Sequence, residues 1–269
     1  MPAGLRRSSL KQPLLQPIKR SAHPKRQFSA KTNTIFEDSP LGLSKWLPAV
    51  WIVVNAKNGV SSYEMARTLG ITQKSAWFLN HRIRAALNAN GGFEKLSGTV
   101  EIDETYVGGR RIGHENYLKD KMAIIGAVEK KKGTGQMRAM VTKYVDATVA
   151  APFIHASIAA GSQVQTDESK IYHRVKRNFQ HDVVNHARRE YARGGTSTNT
   201  IEGVWNLFKR SYKGTYTHLA AHHLGRYVNE HVYRYNNRQY SDGERFVMWF
   251  GGCARRLAYV GLVERKFGA

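Results

Sequence analysis

Apolar residues recur along this chain first at helical spacing, then at strand spacing, then at helical spacing again. From Ser44 onward, Trp46, Leu47, Val50, Trp51 and Val54 fall on one stripe, and Asn58-Gly59 stops the helix they predict. Ser61 or Ser62 can cap a second helix carrying Met65, Ala66 and Leu69; Gly70 permits a tight turn; Thr72 can cap a third helix through Ala76, Trp77, Leu79, Ile83 and Leu87. A short helix, a glycine turn and a longer helix outline a helix-turn-helix, and an ordinary three-helix bundle has the same outline. The start of the third helix holds Thr72, Gln73, Lys74 and Ser75, side chains able to reach base edges or phosphates, and Arg82 farther along joins them as an expected DNA contact.

Asn90-Gly91-Gly92 reads as a linker. Beyond it, residues 99–107, 122–128 and 137–145 are rich in β-branched and apolar residues and read as a meander, with glycines 108, 109, 133 and 135 at its turns. Thr148 is expected to cap a helix through Phe153, Ile154 and Ile158 that Gly161 ends. Residues 162–166 then read as a short buried strand delivering Asp167, and 182–184 as another. Helices are predicted over 199–212, 219–236 and 242–259, the middle one with Leu224, Tyr227, Val228, His231, Val232 and Tyr235 on one stripe. This is an α/β order. It matches a ribonuclease-H-like core, a mixed sheet flanked by helices, preceded by a small all-α helix-turn-helix domain. The expected division is a basic arm over 1–34, a DNA-binding domain over 35–92, and a catalytic domain with C-terminal helices over 93–269.

Charge adds a partner. Lys and Arg number 42 against 20 acids, a net +22. Such an excess favours a polyanion, because each cation near a phosphate releases condensed counterions. The arm carries Pro2, Pro13, Pro17 and Pro24 among its basic residues and buries little; it can touch DNA backbone or stay inert. The single cysteine, Cys253, excludes an internal disulfide and a cysteine-only zinc site, and no close Cys/His spacing suggests another. No apolar run approaches the ~20 residues of a membrane span, and no signal peptide is evident. A cytoplasmic protein at the bacterial nucleoid is expected.

Candidate chemistry rests on acids in unusual places. Alternation along 99–109 sets Glu101, Asp103 and Thr105 on one face and Ile102, Glu104 and Tyr106 on the other. An acid inside such a run sits on a wet face or in a site. Asp167 leaves the end of a strand, where ligand sites gather, with Glu168 as its competitor. On the helix over 199–212, Ile201, Trp205 and Phe208 can face the core, while Asn199, Glu202 and Lys209 share another side. Phosphodiester cleavage and strand transfer need an in-line attack by water or a 3′-hydroxyl, which two Mg2+ about 4 Å apart can activate, and carboxylates on two strands and a helix could hold such ions.

The segments Asp-Glu-Thr-Tyr-Val-Gly-Gly (103–109), Thr-Asp (166–167), Thr-Asn-Thr-Ile-Glu-Gly-Val-Trp-Asn-Leu-Phe-Lys-Arg (198–210) and His-Leu-Gly-Arg-Tyr-Val-Asn-Glu-His-Val-Tyr-Arg-Tyr-Asn-Asn-Arg (223–238) resemble the ISXO-like DDE transposases of bacterial insertion sequences. Residues 25–29 and 34–39 also resemble the stretch before that family's helix-turn-helix. The resemblance implies Mg2+-dependent cutting and joining of double-stranded DNA at terminal inverted repeats, with Mn2+ as a substitute ion. By position it makes Asp103 and Asp167 the shared metal ligands and Glu202 the third acid. Asn199 is an alternative or additional contributor, and Lys209 lies near a phosphate or in a surface ion pair. Arg210 beside it is a further expected DNA contact. Pairing two DNA ends implies a homodimer or higher oligomer. Family members begin with a cysteine zinc ribbon, which has no counterpart in residues 1–34. Among Tyr212, Lys213, Tyr216, His218, Arg226, Tyr233, Arg234 and Arg238, the tyrosines are expected in the core and the outer Arg and Lys toward DNA. The competing readings are a catalytically inactive DNA-binding relic or regulator, and a nuclease acting on RNA–DNA hybrids.

Overall fold

The computed structural model describes residues 29–87, 94–108, 121–167, 169–172, 179–184, 197–216 and 219–253. Most of the basic arm, the linker glycines, Glu168, His218 and the expected helix beyond 253 lie outside them.

Three helices lead, at the positions their spacing predicts: α1 (Leu43–Asn55), α2 (Ser62–Leu69) and α3 (Gln73–Ala86). Ser61 caps α2, its hydroxyl accepting from the Glu64 N–H at 3.1 Å, and Thr72 caps α3, accepting from the Ser75 N–H at 3.2 Å. Between them Gly70 takes the left-handed conformation, φ 61°, that only glycine adopts without strain. Their apolar faces form one core of Trp46, Val50, Val53, Met65, Leu79 and Ile83.

A five-stranded mixed sheet follows, in the order β3-β2-β1-β4-β5. β1 (Thr99–Gly108), β2 (Lys121–Glu129) and β3 (Met137–Thr142) form the expected antiparallel meander, and β4 (Gln163–Asp167) and β5 (Gln180–Val184) add in parallel beyond β1. Helix α4 (Ala147–Ser157) covers one face, over Val100, Ile102, Ile125 and Val164. Helices α5 (Asn199–Gly214) and α6 (Leu224–Asn236) cover the other, over Val107, Ile124, Val128 and Met137. Alternation in β1 therefore sends Glu101, Asp103 and Thr105 toward α5.

Several boundaries differ from the sequence reading. Asp146, not Thr148, caps α4, because its carboxylate accepts from the N–H groups of both Thr148 (2.8 Å) and Val149 (3.0 Å). That helix stops at Ser157, short of Gly161, where Ile158 extends and bridges to Leu96. β3 ends at Thr142 rather than 145, and a 3-10 turn (Ala221–His223) replaces the first residues predicted for α6. Helix α7 (Asp242–Trp249) packs on α1, and Trp249, Cys253 and Tyr233 of α6 complete the core of α1–α3.

The N-terminal helices meet α6 through buried charge. The Arg84 guanidinium donates to Glu230 at 2.5 Å and stacks 4.1 Å over Tyr227; Glu230 also accepts from Tyr216 (2.8 Å) and from Arg234. Burial alone would raise the pKa of Glu230, but Arg84 and Arg234 reverse this and hold it below the usual carboxylate range. Arg234, expected toward DNA, is thus an internal counter-ion.

Helix α5 approaches the sheet so closely that Gly126 of β2, the register partner of Asp103, has no room for a side chain. A Cβ there would meet Trp205 Cζ2 at 2.5 Å. We expect Gly126→Ala to force the indole outward and cost about 1–3 kcal/mol, the usual penalty of overpacking. Chemical denaturation of the two proteins measures it, and equal midpoints would show that α5 yields freely.

Candidate functional site

The parallel ladder between β1 and β4 pairs Val100 with Val164 and Glu101 with Gln165. Two residues further along both strands stand Asp103 and Asp167, on the α5 side of the sheet by the same alternation. Strand pairing thus makes neighbours of two acids that lie far apart in sequence. Asp167 is held by its own loop, its carboxylate accepting from the Ser169 N–H at 3.0 Å.

Helix α5 brings the third acid. Ile201, Val204, Trp205 and Phe208 are buried against the sheet, which leaves Asn199, Glu202, Lys209 and Arg210 exposed. The Thr198 hydroxyl donates to Glu202 at 2.9 Å. Lys209 lies two turns along the face that carries Glu202.

Asp103 records the company it keeps. Burial raises its pKa to about 7, and the negative charges of Glu104, Asp167 and Glu202 add to the shift, against a backbone hydrogen bond that lowers it. Among the described residues, no three His, Cys, Asp or Glu side chains are gathered tightly enough to form a ready-made metal cage. The arrangement is looser: two carboxylates on adjacent strands, with a third held by the N-terminus of α5 within electrostatic reach. Mg2+ takes few protein carboxylates and keeps several waters, so the donor set suits that ion chemically. Thr105, next on the same strand face, has a buried hydroxyl with no hydrogen-bond partner among the described residues.

Two further carboxylates of β1, whose faces alternation assigned but whose partners it did not show, lie beside these acids. Glu101 is wholly buried and accepts from the backbone of α5, with Lys130 at 3.8 Å. Glu104, on the opposite face as alternation required, accepts from the Tyr172 hydroxyl at 2.5 Å. Burial raises the pKa of Glu104, Asp167 adds to that, and the Tyr172 bond opposes it. The only signal for Glu101 was its position, an acid between Val100 and Ile102 in an apolar run.

The side chains expected on DNA divide. Thr72 and Lys74 are exposed, whereas Gln73 donates to the Ser62 hydroxyl at 2.8 Å and Ser75 bonds with Thr72 at 3.0 Å. Arg82 is half-buried: it donates to the Glu37 carbonyl at 2.8 Å and lies 5.7 Å over the Trp46 ring. Arg226 faces His81 at 3.1 Å, and Arg238 donates to the Gly135 carbonyl at 2.7 Å and stacks on Tyr235. Tyr216 and Tyr233 are in the core, as expected of the tyrosines. A guanidinium finds such internal acceptors in three dimensions, which spacing along a helix does not show.

Known proteins share the part of the chain that carries these acids. The ISXO2-like transposase domain matches residues 95–236. An uncharacterized protein in transposable element ISH50 of Halobacterium salinarum is 25% identical over 203 residues, which cover 69% of this chain and 67% of that protein. Among solved structures, a chain of the simian T-cell lymphotropic virus intasome in complex with PP2A regulatory subunit B56 gamma aligns with TM-score 0.32 at 11% identity, over 67% of this chain. This chain spans just under two thirds of that one, 66%, and the likeness is too slight to bear on function.

The charge on Asp103 gives a test. An acid whose folded pKa lies above its unfolded value costs stability once ionised, so the penalty grows as pH rises from about 4 through 7. In metal-free protein, Asp103→Asn should therefore stabilise the fold at about pH 8, by more than about 1 kcal/mol at about 1.4 kcal/mol per pKa unit, and should gain little near pH 4. Urea unfolding at both pH values decides it; equal gains would remove the electrostatic strain from Asp103.

Proposed function

The chain belongs to the ISXO2-like transposase domain family, and from this we propose that it cuts and joins DNA at the ends of a mobile element, with Asp103, Asp167 and Glu202 as its catalytic acids. The observation that supports the proposal is the register of β1 and β4, which pairs Glu101 with Gln165 two residues before Asp103 and Asp167, together with Glu202 in the first turn of α5 and the influence of both other acids on Asp103. An antiparallel meander followed by parallel strands, with helices on both faces, suits a ribonuclease-H-like catalytic core.

Mg2+, or Mn2+ in its place, would be held by these acids and would activate the attacking water or 3′-hydroxyl and stabilise the leaving oxygen. The chain's own residues prepare the place. Asp103 and Asp167 fix two carboxylates on a rigid sheet. Thr198 holds the Glu202 carboxylate by its own hydroxyl, while Asn199 offers a further oxygen at the start of α5. Lys209 presents a cation on the same helix face, where it would meet a phosphate of the bound strand, with Arg210 beside it.

The helices over 35–92 would serve as a helix-turn-helix that reads the element ends, with Thr72 and Lys74 the exposed side chains at the start of α3. Residues 93–269 would supply the chemistry. A net charge of +22 suits a double-stranded DNA partner, and pairing two ends would require at least two copies.

A supercoiled plasmid carrying the element ends tests the chemistry. Asp103→Asn should lower Mg2+-dependent cleavage by more than about 100-fold, beyond the usual loss from contacts that merely support a metal, and leave duplex binding intact. Full cleavage by the variant would remove Asp103 from the site. Wild-type protein that binds the ends without cutting would instead favour a DNA-binding regulator.

The logarithm of affinity should also fall with the logarithm of salt concentration, at roughly −0.9 per phosphate neutralised. A flat salt series would contradict the role of the basic surface.

A further inference from the structure

Helix α5 lacks a cap of its own. The first N–H groups of a helix need acceptors, and the residue preceding the helix commonly provides one. Thr198 stands in that position and makes no capping bond; its hydroxyl donates to Glu202 instead. The acceptor comes from the sheet. Glu101 Oε2 accepts from the Ile201 N–H at 2.9 Å, and Oε1 accepts from the Thr200 hydroxyl at 3.0 Å and the Ser197 hydroxyl at 3.5 Å.

The contact belongs to a larger knot. Lys130, at the end of β2, reaches Glu101 at 3.8 Å, Ser197 Oγ at 2.9 Å and Gln165 Oε1 at 3.4 Å. Gln165 accepts in turn from the Ser197 N–H at 3.2 Å. Glu101 and Gln165 are register partners, each two residues before Asp103 and Asp167 on its strand. The knot is therefore a polar layer directly beneath the pair of acids, and it ties both strands to the start of α5.

We propose that Glu101 is a positioning residue: its buried carboxylate replaces the missing cap of α5, holds Asn199 and Glu202 in register with Asp103 and Asp167, and frees Thr198 to orient Glu202. This rests on the catalytic reading given above. A glutamate in the apolar run of β1 is a costly way to stabilise a helix end, since an ordinary cap from Ser, Thr or Asp would suffice. What it adds is a fixed distance between a helix and two particular strands. Loss of such support around a metal site typically lowers activity or metal affinity about 10- to 100-fold.

The test uses the full chain with Glu101→Gln, and with Thr200→Val as a milder variant that removes one donor and leaves the carboxylate in place. Hydrogen exchange of the segment 197–205 reads the anchor itself. Exchange should quicken there in both variants and stay unchanged in β2. Cleavage should lose about 10- to 100-fold in kcat with unchanged KM for DNA, the Mn2+ midpoint should rise, and the increase in melting temperature on adding Mn2+ should shrink. Thr200→Ser, which keeps the hydroxyl, should behave as wild type. Unaltered exchange would overturn the anchor. Quicker exchange with unaltered kcat and Mn2+ response would overturn the positioning role. If wild-type protein itself shows no Mn2+-dependent cleavage, the catalytic reading fails and the positioning role falls with it, whatever the exchange shows.

Discussion

The indole of Trp205 lies so close to β2 that position 126 must be glycine for α5 to pack as it does. That contact sets the height of α5 above the sheet, and the buried Glu101 sets its position along the strands. The two constraints differ in kind. The first is steric and non-directional, and it excludes water over a broad area. The second is a small set of directed hydrogen bonds that can be satisfied in one geometry only. Together they allow a solvent-facing side chain such as Glu202 to be presented from a rigid base. The acids themselves need not form a tight cluster for this to hold.

A second buried carboxylate does comparable work elsewhere. Glu230 joins Arg84 of α3 to Arg234 and Tyr216, and so locks the N-terminal helices to the element that covers the sheet. Removing one partner of such a group leaves an uncompensated charge in the interior, commonly about 3–5 kcal/mol. The orientation between the two helical layers is therefore resistant to small slippage. Gly59 adds to this: at φ 78° it turns the chain tightly, and a Cβ there would collide with the Tyr216 hydroxyl.

Much of this architecture was legible in the amino-acid order, for identifiable reasons. Period-two alternation in 99–107 placed Glu101, Asp103 and Thr105 on one face, because side-chain direction in a strand follows from backbone geometry alone. Helical spacing located α1, α2 and α3, and local caps marked the starts of α2 and α3, since a capping hydroxyl acts only a few residues away. What stayed hidden depends on contacts distant in sequence. The cap of α5 comes from Glu101, and the packing partner of α7 is α1. Arg82, Arg226 and Arg234 have the composition of a DNA-facing surface, yet each guanidinium is engaged by neighbouring groups of the protein. Of the candidate site, the acids could be named from the strands and helix that carry them, but the pairing of β1 with β4 could not, because it joins segments distant in sequence. The layer of Lys130, Gln165 and Ser197 beneath them could not, because nothing in their local spacing distinguishes them from surface polar residues.

The packing of α7 on α1 bears on how this part of the molecule is built. A ribosome delivers α1, α2 and α3 early, but Trp249, whose indole donates to the Ile83 carbonyl, arrives 166 residues after that acceptor. Cys253 likewise supplies the carbonyl that receives the Ile35 N–H. Until those residues emerge, part of the apolar face of the leading helices has no cover. A fragment ending before Trp249 would leave that apolar face open to other apolar surfaces, a liability that the packing of α7 on α1 removes.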